Sequence, residues 1–198
     1  AAQLGFDSLV RKPMAPVAQF ALLANRYMSE YGTSLEQLAS VAVKNHRNGA
    51  MNPYAQRQKV RTLEEVLAPP YISGPLSRLQ CCPFGEGAAA VLVASEQAVS
   101  ALPIDETRLV RVIASVSRSE QLYSAGENSD SELTGSSIKM AFEQAEISAD
   151  QLDVVELHDA FSIEEILYAE AMGLCEEGQA APLIAAGEFD IGGRCALS

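Results

Sequence analysis

The chain has 198 residues, 48% of them hydrophobic, with no low-complexity tract, which is enough to bury a real core in one domain or one and a half. Its formal net charge of −12 argues against nucleic acid as a partner, because phosphate contacts need a basic face. The longest apolar stretches, Ala88 to Ala94 and Ala180 to Ala186, are too short to span a membrane, and no basic and apolar leader opens the chain, so no membrane partner and a cytoplasmic location are expected.

In chain order, Pro16 to Tyr31 carries Val17, Phe20, Leu23, Ala24, Tyr27 and Met28 at helical spacing, and Gly32 ends the pattern. Thr33 or Ser34 then caps a second helix, with Glu36 and Gln37 in its first turn and Leu35, Leu38, Val41 and Ala42 on one face, running to about Asn48-Gly49. The two helices are expected to form a hairpin.

After Asn52-Pro53 comes a polar run, a short helix around Leu63 to Leu67, and the breakers Pro69-Pro70 and Gly74-Pro75, a stretch of few regular elements that reads as an excursion covering something. At Gly85-Glu86-Gly87 the character changes. Ala88 to Ala94 has the continuous small apolar run of a strand buried on both faces, and Ser95 caps a short helix from Glu96 to Ala101. Leu109 to Val116 alternates as a second strand, Ser136 to Ala145 is helical, Val154 to Leu157 is a third strand leading into His158-Asp159, and Ser162 caps a helix ending near Gly173. The fold class expected from this alternation is α/β.

Charge is unevenly spread. From Lys44 to Arg61 there are five basic residues (Lys44, Arg47, Arg57, Lys59, Arg61), His46 and no acid, whereas Glu120 to Asp190 holds seventeen acids against Lys139 alone. The basic stretch reads either as a site for a small anionic ligand or as a solvated helix face and loop. The four cysteines, Cys81, Cys82, Cys175 and Cys195, lack CxxC spacing, so they are expected as reduced thiols, with no metal site. Cys175 stands beside Glu176 and Glu177, whose charge disfavours a thiolate.

The residues with the most chemistry are Glu156-Leu157-His158-Asp159-Ala160-Phe161-Ser162, because a strand running straight into a helix N-terminus is where open α/β sheets build active sites. An imidazole there can donate a hydrogen bond to an oxygen that becomes negative, aided by the helix dipole. Taken as an isolated pair, His158 and Asp159 read more readily as a cap for the following helix.

Val155 to Phe161 resembles the His-Asp-Cys-Phe or His-Asp-Ala-Phe signature of sterol-carrier-protein-type and archaeal-like thiolases, which replaces the Asn-Glu-Ala-Phe of ordinary thiolases. Three other stretches lie in matching order. Tyr31-Gly32-Thr33-Ser34 through Asn45-His46-Arg47-Asn48-Gly49 and Asn52-Pro53 is similar to the family's loop-domain helices. Cys82-Pro83-Phe84-Gly85-Glu86-Gly87-Ala88-Ala89-Ala90 is similar to its Asp-Gly-Ala-Ala lead-in to a strand, with Glu86 where the family has Asp. Gly192-Gly193 is similar to the run into its closing motif.

The resemblance implies part of a thiolase fold, a layered αβαβα architecture, with residues 1–80 as a largely helical loop domain that covers coenzyme A. Residues 81–198 would then be the α/β end of the N-terminal thiolase half running into the C-terminal half. It further implies an acyl-CoA C-acyltransferase that makes or cleaves a carbon–carbon bond between thioesters, with coenzyme A thioester as substrate and no other cofactor, working as a homodimer or homotetramer. His158 would bind the thioester oxygen, Phe161 would line the acyl-pantetheine pocket, Asp159 would hold the turn, and Cys82 and Phe20 would flank the substrate; one or two bases between Lys44 and Arg61 would lie near the coenzyme's phosphates.

The family's upstream nucleophilic Cys, its Gly-His-Pro motif and its Cys-x-Gly turn are absent, so no nucleophile is assigned. With Ala1-Ala2-Gln3 opening the chain and Ser198 closing it ahead of the next motif, a piece of a longer protein, inactive alone, is expected. Two alternatives stand beside acyl transfer: a thiolase-like retro-aldolase on acyl-CoA side chains working with an OB-fold partner, and a non-catalytic acyl-CoA or lipid-binding fragment.

Overall fold

Helix α1, Pro16–Tyr31, forms where expected, with proline at its first position, where no backbone donor is needed. Gly32, at a φ of 70°, ends it by returning its N–H to the Met28 carbonyl at 2.9 Å. The structure, a computed structural model, describes residues 16–119 and 129–198, so the first fifteen residues of the expected loop domain lie outside the described residues.

Helix α2, Leu35–Met51, starts at a reciprocal capping box: the Gln37 N–H donates to Ser34 Oγ at 3.2 Å, and the Ser34 N–H donates to Gln37 Oε1 at 2.9 Å. Ser34, not Thr33, is the cap. The expected hairpin is not what forms. Helices α1 and α2 each lay their buried faces on a later helix instead of mainly on each other.

Helix α3, Leu63–Leu67, is capped by Thr62 with Glu65 in the same reciprocal way and drops Val66 onto Ala39 and Ala42 of α2. A small antiparallel hairpin follows, β1 (Tyr71–Ser73) with β2 (Leu76–Ser77), turning through Gly74-Pro75. The turn chemistry was legible, but this pairing was not anticipated, because each strand is only two or three residues long.

The two expected core strands do not form among the described residues. Residues 88–94 and 109–116 run without sheet partners, and Val91, Leu92, Val93 and Val110 are exposed. A continuous apolar strand is stable only when neighbouring strands take its backbone groups and layers cover both faces. Between the two runs, α4 (Glu96–Ser100) starts at Ser95, whose Oγ accepts from the Ala98 N–H at 3.2 Å.

Helix α5, Ser129–Ala145, begins seven residues before the periodic pattern predicted. Strand β3 is Val154–Val155, helix α6 is Ser162–Ala171, helix α7 is Ala180–Ala186, and β4 is Ala196–Leu197. Strands β3 and β4 pair in parallel, Val154 with Ala196 and Val155 with Leu197. Within the described residues the fold is mixed, helical with few strands.

Helix α6 is the centre of the core. Helices α1, α2, α5 and α7 all pack on it, and Ile163, Ile166 and Ala169 are fully buried. Burying each isoleucine contributes about 2 kcal/mol. Gly187, at a φ of 86°, stops α7, and the chain turns through Gly192-Gly193 into β4. A Cβ on Gly193 would come within 2.4 Å of the Glu188 carbonyl oxygen, so this turn takes no side chain there. No helix among the described residues is long and apolar enough to cross a membrane.

Candidate active site

The site is built where β3 runs into α6. Pairing with the last strand continues past β3, since the Ser198 N–H donates to the Val155 carbonyl at 3.0 Å and the Leu157 N–H to the Ser198 carbonyl at 2.8 Å. In an extended segment side chains alternate sides. Val155, Leu157 and Asp159 therefore turn inward, while Val154, Glu156 and His158 face solvent. The imidazole is thus presented, and the neighbouring carboxyl is withdrawn.

Three further predicted residues gather along the same run. Cys81 bridges Phe161 in antiparallel fashion, and the Cys82 N–H donates to the Ala160 carbonyl at 2.8 Å. Phe20 of α1 stacks on Phe161, with ring centroids 4.7 Å apart and an interplanar angle of 24°. Phe161 is 7% exposed and belongs to the core, whereas Cys82 and His158 are exposed.

Ser162 is not the cap of α6. Phe161 occupies that position, and its N–H donates to Glu164 Oε2 at 3.0 Å. Glu164 and Glu165 stand buried in the first turn, where carboxylates complement the positive end of the helix dipole. The helix end that was expected to assist His158 is therefore already occupied by protein carboxylates.

Beneath His158 lies a polar cluster that sequence reasoning missed. Lys44, 2% exposed, places Nζ 3.1 Å from Oε1 of Glu165, which is fully buried. The same ammonium donates to Asn45 Oδ1 at 2.6 Å and to the Leu197 carbonyl at 2.5 Å. Asn45 uses its amide hydrogens on Asp159 Oδ2 at 2.7 Å and Glu165 Oε2 at 2.9 Å. Burial, then the charge of Glu165, pushes the Asp159 carboxyl up to about 7. The signal was available: Leu38, Val41 and Lys44 follow one another at spacings of three, so Lys44 sits on the apolar face of α2.

That placement corrects the reading of the basic stretch. Lys44 is an interior residue, Arg47 pairs with Asp190, and Lys59 and Arg61 lie 3.7 and 3.2 Å from Glu65. Four of the five bases thus face carboxylates, and burial followed by Arg61 and Arg57 holds the His46 imidazole below its ordinary range.

All four cysteines are free thiols. Burial pushes Cys81 and Cys175 up to about 11 and also raises Cys195, so none of these three is poised as a thiolate. For Cys175 the causes are burial and then Glu170, not the adjacent Glu176 and Glu177. A groove between α1, α5 and α6, lined by Tyr27, Glu30, Glu132, Leu167 and Glu170, contains neither His158 nor Cys82, and its acidic wall does not suit an anionic coenzyme.

Comparison with known proteins points to thiolases and their relatives. Residues 114–198 match the family described as thiolase C-terminal domain-like. The benzoylsuccinyl-CoA thiolase subunit BbsB of Thauera aromatica is 36% identical over 181 residues, covering 91% of this chain and 46% of that protein. Sterol carrier protein 2 of Gallus gallus is 36% identical over 195 residues, covering 96% of this chain and 35% of that protein. The solved structure of the Ltp2–ChsH2(DUF35) aldolase superposes with a TM-score of 0.80 at 26% identity, over 100% of this chain and 53% of that one. The chain spans half or less of the length of the curated relatives it matches.

Proposed function

Because residues 114–198 match the thiolase C-terminal domain-like family and most of the chain aligns with thiolase relatives, we propose that it supplies the oxyanion-binding part of an acyl-CoA carbon–carbon bond enzyme. The observation that carries the reading is the exposed His158 at the end of β3, on a run that also holds Phe161 and pairs with Cys82. In acyl transfer, a base takes a proton from the α-carbon of one thioester, negative charge moves onto its carbonyl oxygen, and the α-carbon then bonds to the second acyl carbon as the thiolate that carried that acyl group departs. Cleavage runs the same bonds in reverse. Either way an N–H of His158 donates to the oxygen as its charge grows, which lowers the barrier because the donor needs no reorganisation.

In this reading residues 1–80 form the loop domain over the coenzyme and residues 81–198 the α/β body. Phe20, Phe161 and Cys82 border the acyl and pantetheine parts of the substrate, and the whole protein works as a homodimer or homotetramer. The nucleophile comes from outside these residues, in keeping with the raised Cys81, Cys175 and Cys195 thiols.

A second reading, retro-aldol cleavage of an acyl-CoA side chain with a small partner protein, draws its support from the superposition on the Ltp2–ChsH2(DUF35) aldolase. One experiment separates the two. The full-length protein is assayed for thiolysis of acetoacetyl-CoA by coenzyme A and for aldehyde or ketone release from a β-hydroxyacyl-CoA, each with and without His158→Ala. Whichever reaction the protein performs should slow about 10²- to 10³-fold in the variant. Unchanged turnover by the variant overturns the role of His158, and binding without either reaction overturns both readings.

A further inference from the structure

We propose that Lys44, Asn45 and Glu165 are positioning residues that act through Asp159 on the presentation of His158, so that the charge state of this buried cluster is felt at the imidazole. The inference rests on the functional reading of His158 but is tested without turnover. Its basis is geometric. Asp159 follows His158 directly on an extended run, so the two side chains point to opposite sides of one short stretch of backbone, and a displacement of one tilts the other.

The inward carboxyl accepts from Asn45 Nδ2 at 2.7 Å and from its own backbone N–H, and the Asn45 amide is itself fixed by Glu165 Oε2 at 2.9 Å and by the Lys44 ammonium on its carbonyl at 2.6 Å. Lys44 also grips the Leu197 carbonyl of β4, the strand that pairs alongside β3 as far as Leu157. The cluster therefore ties α2, α6, β4 and the 158–161 turn to one another.

The groups facing Asp159 are Lys44 from α2 and Glu165 and Glu164 from α6. Among these facing groups Lys44 is the one cation, set against Glu165 and Glu164, so ionising Asp159 adds to an excess of negative charge around it. Burial and Glu165 push the Asp159 carboxyl up to about 7, which places that change within the working range of a neutral medium. Above it, repulsion between Asp159 and Glu165 loosens the hold on the turn.

The test is nuclear magnetic resonance of the full-length protein labelled at histidine Cε1, titrated between about pH 5 and pH 9, with His158→Gln identifying the resonance. In wild type the His158 resonance should carry a contribution from Asp159 that titrates near neutrality. Asp159→Asn should erase that contribution, and Glu165→Gln, which removes the like charge and frees Lys44 for Asp159, should move it down by about one pH unit. A His158 titration curve that is the same in wild type and Asp159→Asn overturns the proposal, and that comparison does not depend on Glu165→Gln folding. If His158→Ala leaves turnover intact while the curves of wild type and Asp159→Asn differ, the functional reading fails and the coupling stands.

Discussion

Asp159 couples pH to stability with a definite sign. In the unfolded chain its carboxyl ionises near its ordinary 3.8, while in the folded chain it holds its proton up to about 7. Below about pH 4 both states are protonated and the group is neutral in effect. Between these values the folded state binds more protons, so stability falls as pH rises, and above about 7 the loss is constant. Asp159→Asn keeps an acceptor for Asn45 and has no charge to bury. Its urea midpoint should match wild type near pH 4 and exceed it at pH 8. A lower midpoint at pH 8 would mean that the ionised carboxylate is itself the favourable partner of Asn45. Lys44→Met should act in the opposite direction at pH 8, because it strands Glu165 in the interior; a loss of about 3 kcal/mol or more is expected from equilibrium unfolding.

At the scale of elements, helix α2 depends on its first turn. Ser34→Ala removes the oxygen that satisfies the Gln37 N–H and should cost about 1 kcal/mol by urea denaturation. Caps of this kind are why α1, α2, α3 and α4 could be placed to within a few residues: Gly32, Ser34, Thr62 and Ser95 act locally, and local chemistry is written in adjacent residues. The start of α5 was placed late because its first turns, with Gly135 and several serines, have weak helix propensity. Residues 88–94 and 109–116 carry the composition of buried strands, yet a strand exists only with neighbours, and composition says nothing of which partner is present. In the site, the run from Glu156 to Ser162 stood out as a strand feeding a helix. The cluster beneath it did not, because Lys44 and Glu165 are 121 positions apart and each looks like an ordinary helix-surface charge until the packing turns both inward.

For the whole molecule, the consequence of those uncovered segments is a sticky surface. Val91, Leu92, Val93 and Val110 expose apolar side chains on backbone whose N–H and C=O groups lack sheet partners, the combination that recruits other strands. The 198-residue polypeptide by itself should bind a hydrophobic dye such as anilinonaphthalene sulfonate and self-associate, and Leu92→Lys together with Val110→Lys should reduce both. A dye-free monomer at the same concentration would mean that these segments find cover within the polypeptide. In the solved aldolase structure this chain accounts for 53% of the aligned chain, leaving nearly as much polypeptide again beside the superposed region.

The parallel pairing of β3 with β4 sets a clock on synthesis. Val154 waits for Ala196, some forty residues later, and Lys44 waits longer still for the carbonyl of Leu197. At roughly 5–20 residues per second, the stretch between the two strands takes about 2–8 seconds to make. Throughout that interval the turn bearing His158 lacks its flanking strand and the ammonium of Lys44 lacks its acceptor on β4. Helices α1 and α2 can be made long before they have α6 to rest on. A nascent chain halted before residue 196 should consequently be open to proteases around residues 154–161, however well its early helices have formed.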